Sequence, residues 1–243
     1  MGPSYHVLTF DAGEDLLAFP GQFAMVRGAA WGQAPLLPRP MSLLETGRRP
    51  SILIKIVGEG TRRLAHASPG EPFDLLMPLG NRWAPLPEGQ RPILVAGGVG
   101  IAPLLFFARE LAAKGVRATM LYGGRSANDL PLSEEVVAVS DARFLTEDGS
   151  RGTKGRVTAL LESAIVESAG KVKVYTCGPD RMMAAVADIC QRMSVPCEVS
   201  LETPMGCGYG VCLGCPVKRT SGGYLYACMD GPCIDATAIA WGS

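Results

Sequence analysis

Cys207, Cys212, Cys215 and Cys228 follow a C-x4-C-x2-C-x12-C spacing, and no other stretch limits the possible folds of this chain so sharply. This is the plant-type ligand pattern of a [2Fe–2S] cluster, in which four thiolates hold two irons. The interleaved Gly206, Gly208, Gly210 and Gly214 suit it. A loop that wraps a cluster must turn through positive φ and bring N–H groups close to sulfur, which residues without Cβ do at least steric cost. Three other readings stay open on spacing alone. A structural zinc site usually shows two C-x2-C knuckles, and only Cys212 and Cys215 form such a pair. A disulfide framework belongs to short secreted chains. Unrelated buried thiols would account for Cys177, Cys190 and Cys197 more readily than for four in one run.

At 243 residues the chain has ample length for one large or two modest domains around buried cores. Lys plus Arg and Asp plus Glu balance at 23 each, without the basic footprint of a nucleic-acid binder. Eight cysteines without a secretory leader point to a reducing compartment, expected to be the cytoplasm, and to metal ligation. The longest uncharged run, Ile93 to Ala108, is too short and too broken by glycine and proline to span a bilayer, so no membrane contact is expected. His6 and His66 are the only imidazoles. Catalysis resting on histidine is therefore not expected, and a cofactor would carry any chemistry.

Residues 1–88 read as short strands punctuated by turns: a turn and strand over Phe19 to Val26, then Met41 to Leu44, Ser51 to Val57 and Glu71 to Leu76. Such spacing predicts a small antiparallel barrel. Arg39 lies between two prolines, on a stretch stiff enough to hold a guanidinium for a bidentate grip on phosphate. Gly58-Glu59-Gly60-Thr61-Arg62-Arg63-Leu64 reads either as a helix start facing an anion or as a hairpin turn with solvated basic residues. Pro85 to Gly89 reads as a linker.

Residues 89–201 alternate strand and helix, which predicts a five-stranded parallel sheet. The strands are expected at Ile93–Ala96, Ala118–Tyr122, Arg143–Thr146, Lys171–Thr176 and Cys197–Leu201. In such sheets ligands bind beyond the carboxyl ends of the strands, where this chain carries Gly97, Gly98, Gly100, Gly123, Gly124 and Gly178. The loop lacks the third glycine of the common dinucleotide fingerprint, with Pro103 in its place. Three glycine-bearing strand ends in one sheet nonetheless point to a nucleotide.

Three motifs then lie in a familiar order. Arg39-Pro40-Met41-Ser42 resembles the flavin-binding signature of ferredoxin reductase-type proteins. Gly97 to Leu104, with Cys177-Gly178-Pro179, looks like their nicotinamide-nucleotide half. The cysteine run, with Cys228-Met229-Asp230-Gly231-Pro232, is similar to that of the electron-transfer subunits of NAD-dependent (class 1B) dihydroorotate dehydrogenases. The resemblance implies an α/β plus β-barrel fold with an FAD-binding barrel at 1–88, an NAD-binding domain at 89–201 and a small [2Fe–2S] domain at 202–243. It implies FAD contacts from Arg39, Pro40, Met41, Ser42, Leu53, Ile54, Lys55, Gly60 and Thr61. Nucleotide contacts would come from Gly97, Gly98, Gly100, Gly178 and Pro179, and cluster ligation from Cys207, Cys212, Cys215 and Cys228. Cys177 and Glu202 would approach the flavin–nicotinamide contact. The implied partner is an FMN-containing catalytic subunit, in a heterotetramer of two of each.

The chain departs from that pattern in places. Leu79-Gly80-Asn81-Arg82-Trp83 stands where Leu-Gly-Asn-Gly-Phe is usual, Thr203-Pro204 follow Glu202, and Cys233 is an extra thiol close behind the fourth ligand. Electron counting supports the cofactor set: a nicotinamide exchanges two electrons, a [2Fe–2S] cluster one, and a flavin can do both. An NAD(P)H-linked reductase subunit serving a hydrogenase or ferredoxin is the alternative. Reductases of that kind that lack the first cysteine are disfavoured by Cys207. A carrier that never touches nicotinamide and a zinc-stabilised regulator are readings from other classes.

Overall fold

The computed structural model describes residues 5–169 and 171–242, so residues 1–4, Gly170 and Ser243 of the expected domains lie outside it. Strands β1 (Tyr5–Thr9), β2 (Phe23–Gly28), β3 (Arg39–Glu45), β4 (Ser51–Lys55) and β5 (Phe73–Leu79) form an antiparallel sheet in the order β1-β4-β3-β2-β5. The sheet curls around one core of Phe10, Ala24, Val26, Trp31, Leu43, Ile52, Ile54 and Leu64. Leu64 comes from helix α1 (Glu59–Ala65). The segment after Gly58 is thus a helix and not a hairpin turn. Thr61 makes the difference: its Oγ1 accepts from the N–H groups of Val57 and Gly58 at 2.9 and 3.1 Å and donates to Gly58 O at 3.0 Å.

Alternation along β4 decides what each side chain can reach. Ile52 and Ile54 fill the barrel, whereas Leu53 faces the other way, toward the second unit.

Strand β6 (Arg91–Gly97) is buried on both faces from Pro92 to Ala96, as a strand between two helix layers must be. Ile93 and Val95 face one core, Leu94 and Ala96 the other. With β7 (Ala118–Gly124), β8 (Ser140–Thr146), β9 (Thr153–Lys154), β10 (Val172–Cys177) and β11 (Cys197–Ser200) it forms a parallel array. All five expected strands are present, and β9 adds a two-residue edge strand that was not expected. The far edge is closed by β14 (Cys233–Asp235), antiparallel to β11, giving the order β14-β11-β10-β6-β7-β8-β9. The C-terminal segment therefore contributes its last strand to the nucleotide sheet. Its other strands, β12 (Pro216–Lys218) and β13 (Tyr224–Tyr226), pair only with each other.

Helices α2 (Ile101–Ala113) and α3 (Ser133–Val139) cover one face, and α4 (Leu161–Glu167) and α5 (Asp180–Arg192) the other. Strand order reverses between β6 and β10, because the chain steps outward from β6 to β8 and then returns to the opposite side. This is the topological switch point, where loops leave the sheet in opposite directions and open a crevice. Gly97–Gly100 and Gly178–Pro179 stand there. Alanine at Gly178 would bring its Cβ within 3.1 Å of Gly97 backbone atoms, on a residue already at φ +154°.

Candidate functional site

A cavity of about 330 Å³ opens where the three parts of the chain meet. Pro40, Met41, Ser42, Leu53, Lys55 and Thr61 line it from the barrel, Val99 from the glycine loop, Ala102 from the start of α2, and Glu202 and Pro232 from the C-terminal segment. Of the residues expected to contact flavin, Ile54 alone buries its side chain in the barrel core, which follows from the alternation along β4. Phe23, Val57, Leu201, Thr203, Pro204, Met205 and Pro232 were not anticipated as cavity residues. Nothing in their residue types marks them; Phe23 and Val57 come from the barrel, at the start of β2 and just after β4, and the others are brought there by the return of the chain after β11.

Arg39 starts β3, and its Nη1 donates to the carbonyls of Leu37 at 2.8 Å and Pro38 at 3.3 Å. Among the described residues no carboxylate pairs with it. Gly60, in the first turn of α1, faces the same guanidinium closely enough that a Cβ there would collide with it. A cation held by backbone carbonyls, with its charge unmatched and with helical N–H groups beside it, fits a phosphate-bearing cofactor.

Deeper in, β10 ends at Cys177, fully buried, with Sγ 3.9 Å from Glu202 Oε1. Burial pushes the thiol well above its ordinary range, and the Glu202 charge pushes the same way. Glu202 faces the open cavity but is crowded by protein, and that desolvation raises its carboxyl, with Asp180 adding and the Cys177 thiol opposing. A group whose pKa is raised on folding contributes stability below its unfolded pKa that is lost as pH rises through the folded one. Glu202→Gln is therefore expected to raise the melting temperature of the flavin-free chain at neutral pH, with the gain vanishing on acidification. Thermal melts at two pH values check it, and a gain equal at both would refute the assignment.

A second polar group closes the nucleotide side. Lys55 Nζ lies 3.6 Å from Asp129 Oδ1, which also accepts from the Tyr5 hydroxyl at 3.2 Å. The buried Tyr122 hydroxyl donates into the same region, with Gly98 O and Pro131 O each at 3.1 Å. Burial and the Asp129 charge hold the Tyr5 hydroxyl above the ordinary phenol range. The Tyr5–Asp129 bond ties the barrel to the loop after β7 across 124 residues, a distance no local pattern reveals.

The cysteine loop packs on the barrel through a small core of Phe23, Met25, Cys215, Ala227 and Cys228. Its sulfurs fall into two pairs. The Cys212 N–H donates to Cys207 Sγ at 3.4 Å, and Cys215 Sγ lies 3.3 Å from Cys228 Sγ. The first pair is at the surface, where backbone N–H groups, led by that of Cys212, pull the Cys207 thiol down to about 6. The second is inside, where burial and the Cys215 thiol push Cys228 up to about 11. Two pairs of thiols, with N–H groups aimed at sulfur and glycines at φ +84° and +88° (Gly208 and Gly210), are the donor set a two-iron cluster takes. Cys233 lies elsewhere: it is buried in β14, in the core shared by Trp83 and Cys177. Cys190 and Cys197 are core residues on the far face of the sheet.

Comparison with known proteins agrees with this arrangement. Residues 94–188 match the oxidoreductase NAD-binding domain. Residues 202–240 match the iron-sulfur cluster binding domain of dihydroorotate dehydrogenase B. In fold, the chain is similar to one from the NADH-dependent reduced ferredoxin-NADP oxidoreductase, with a TM-score of 0.83 and 26% identity, covering 99% of this chain and 89% of that one. It also resembles the ferredoxin reductase of carbazole 1,9a-dioxygenase in fold, with a TM-score of 0.69 and 20% identity over 79% of this chain and 61% of that one. The Desulforamulus reducens dihydroorotate dehydrogenase B (NAD(+)), electron transfer subunit, is 34% identical over 99% of this chain and 94% of its own length. The Bacillus caldolyticus protein of the same name is 38% identical over 90% of this chain and 86% of its own. With cavity, cysteine loop and near full-length identity in agreement, the chain belongs to the family of dihydroorotate dehydrogenase B (NAD(+)) electron transfer subunits.

Proposed function

We propose that this chain moves electrons between the FMN of a dihydroorotate dehydrogenase catalytic subunit and NAD+, through a [2Fe–2S] cluster and FAD. The observation that carries this reading is the single cavity walled by the flavin-type strands, the nucleotide loop and the segment leading into the cysteine loop. The names of the relatives favour it over a general reductase serving a hydrogenase or ferredoxin. A bound flavin supplies the exchange between paired electrons at a nicotinamide and single electrons at an iron–sulfur cluster.

The residues of the chain bind and orient. Arg39 neutralises phosphate charge, assisted by the N–H groups at Gly60 and Thr61. Pro40, Met41, Ser42, Leu53 and Lys55 form the flavin wall, with Ile54 contributing backbone. Gly97, Gly98, Gly100, Gly178 and Pro179 let the nucleotide backbone approach the switch point. Cys177 and Glu202 sit at the floor where the two rings would meet, and Glu202 is the group able to hold a proton there. Cys207, Cys212, Cys215 and Cys228 ligate iron. The burial of Cys233 in another core supports Cys228 as the fourth ligand.

The units 1–88, 89–201 and 202–243 are proposed as the flavin, nucleotide and cluster parts. We place the complex in the cytoplasm as two of each subunit, with no role for nucleic acid. No helix among the described residues is long and apolar enough to cross a membrane. The test is co-purification with an FMN-bearing partner under anaerobic conditions, followed by addition of dihydroorotate and NAD+. NADH formation that needs both subunits is the expected result. Turnover by the partner alone, or a chain whose flavin NADH does not bleach, would overturn the proposal.

A further inference from the structure

Asn81 hydrogen-bonds the flavin barrel to the turn that follows the proposed fourth cluster ligand. It follows β5, and its backbone N–H donates to Gly231 O at 2.7 Å. Its side-chain amide donates to Asp230 O at 3.0 Å and Cys233 O at 2.8 Å, while its Oδ1 accepts from the Cys233 N–H at 2.9 Å. One side chain and its own N–H thus make four hydrogen bonds to a four-residue stretch. An asparagine can do this because its amide is donor and acceptor at once.

The neighbours of Asn81 extend the contact in both directions. Gly80 packs against Pro232, so that a Cβ there would lie 2.5 Å from Pro232 Cδ and 2.9 Å from Gly231 O. Its carbonyl is held by Gln22 Nε2 at 2.9 Å. Pro232 lines the cavity beside Phe23 and Leu201, and its carbonyl accepts from the Leu201 N–H at 2.9 Å. On the other side Asp230 grips Tyr226, its Oδ2 accepting from the Tyr226 N–H at 2.7 Å and its own N–H donating to Tyr226 O at 2.8 Å. Cys228 lies between those two residues. Asn81 therefore holds at one point the cavity wall at Pro232 and the loop at Cys228.

We infer that Asn81 is a positioning residue for electron passage within this subunit: it fixes the cluster loop relative to the flavin cavity and takes no part in hydride transfer. The inference rests on the proposed function, since it needs a flavin in the cavity and a cluster on the loop. Removing the amide frees the turn at 230–233 while leaving the barrel, the nucleotide loop and the four thiols in place. Passage of single electrons falls off with the separation of donor and acceptor, so a loop no longer held at a fixed distance from the flavin cavity passes them more slowly.

The test uses full-length Asn81→Ala and Asn81→Asp. In the iron-free, flavin-free chain, hydrogen exchange at the Cys233 amide should accelerate in Asn81→Ala and stay protected in Asn81→Asp, which keeps the acceptor oxygen. In the reconstituted chain, bleaching of the flavin by NADH should keep its rate in both variants. Appearance of the reduced-cluster electron paramagnetic resonance signal after that bleaching should slow in Asn81→Ala, with Asn81→Asp between it and the parent. Unchanged cluster reduction, or unchanged exchange at Cys233, would overturn the inference. Failure of NADH to bleach the parent chain would instead strike the proposed function, so the two failures are distinguishable.

Discussion

Serine in place of Cys215 will strip the chain of iron while leaving its flavin bound. Cys215 is buried and its sulfur lies 3.3 Å from that of Cys228, in the inner pair of the loop. A hydroxyl there is a harder and much less acidic donor than a thiol, so one iron loses half of its protein ligands. Iron is expected to fall from about two atoms per chain to near zero. The flavin should remain, because Ser42, Leu53 and Thr61 line the cavity from the barrel side. NADH should then still bleach the flavin, while dihydroorotate-dependent NADH formation in the complex stops. Cys233→Ser is the informative companion. Its thiol packs against Gly21 and Trp83 in a different core, so that variant should keep its iron. Full iron in Cys215→Ser, or none in Cys233→Ser, would show the ligand set to be misassigned.

That experiment probes the part of the molecule most legible in the sequence. The proposed cluster ligation is local: four thiols within 22 residues, separated by glycines, two of which the loop holds at positive φ. The α/β half was readable for a similar reason. A buried parallel strand such as β6 must be apolar on both faces, and each glycine-bearing loop follows directly on its strand. Strand β1 escaped notice because Tyr5–Thr9 alternates only weakly and its inner face is half covered.

What stayed hidden is contact between distant segments. Asn81 was visible as the last family-like residue before the departures at Arg82 and Trp83, but its partners lie about 150 residues onward. Lys55 was legible as a candidate flavin contact, whereas its pairing with Asp129 was not. The same holds for β14. Three residues, Cys233–Asp235, are too short to announce a strand, and only the free edge of β11 makes them one. The position of Cys233 follows from that pairing: it sits opposite Ser200, which in turn sits opposite Cys177. Sequence proximity to Cys228 made Cys233 look like a rival ligand; the sheet register takes it to the other side of the turn.

The linker after β5 carries the second large expected effect, the response to Lys173→Met. Lys173 Nζ lies 2.9 Å from Glu198 Oε2, with the two side chains only 11% and 8% exposed. Both carboxylate oxygens also accept from the Ala84 N–H, at 3.0 and 3.2 Å. Ala84 O in turn accepts from the Tyr175 hydroxyl at 3.0 Å, and the lysine ammonium stands 4.7 Å from the Tyr175 ring centre. Ala84 is thereby pinned to the nucleotide sheet just where the barrel ends. Methionine replaces the lysine stem but not its charge, leaving a buried carboxylate with one N–H donor. Breaking a buried pair in this way costs about 3–5 kcal/mol. Adding Glu198→Gln removes the stranded charge and should recover much of the stability, giving a strongly non-additive cycle. Denaturant unfolding of the four chains measures all of this. A deficit below about 1 kcal/mol, the scale of a solvated ion pair, would mean that water reaches the pair and that the linker is held by Trp83 packing instead.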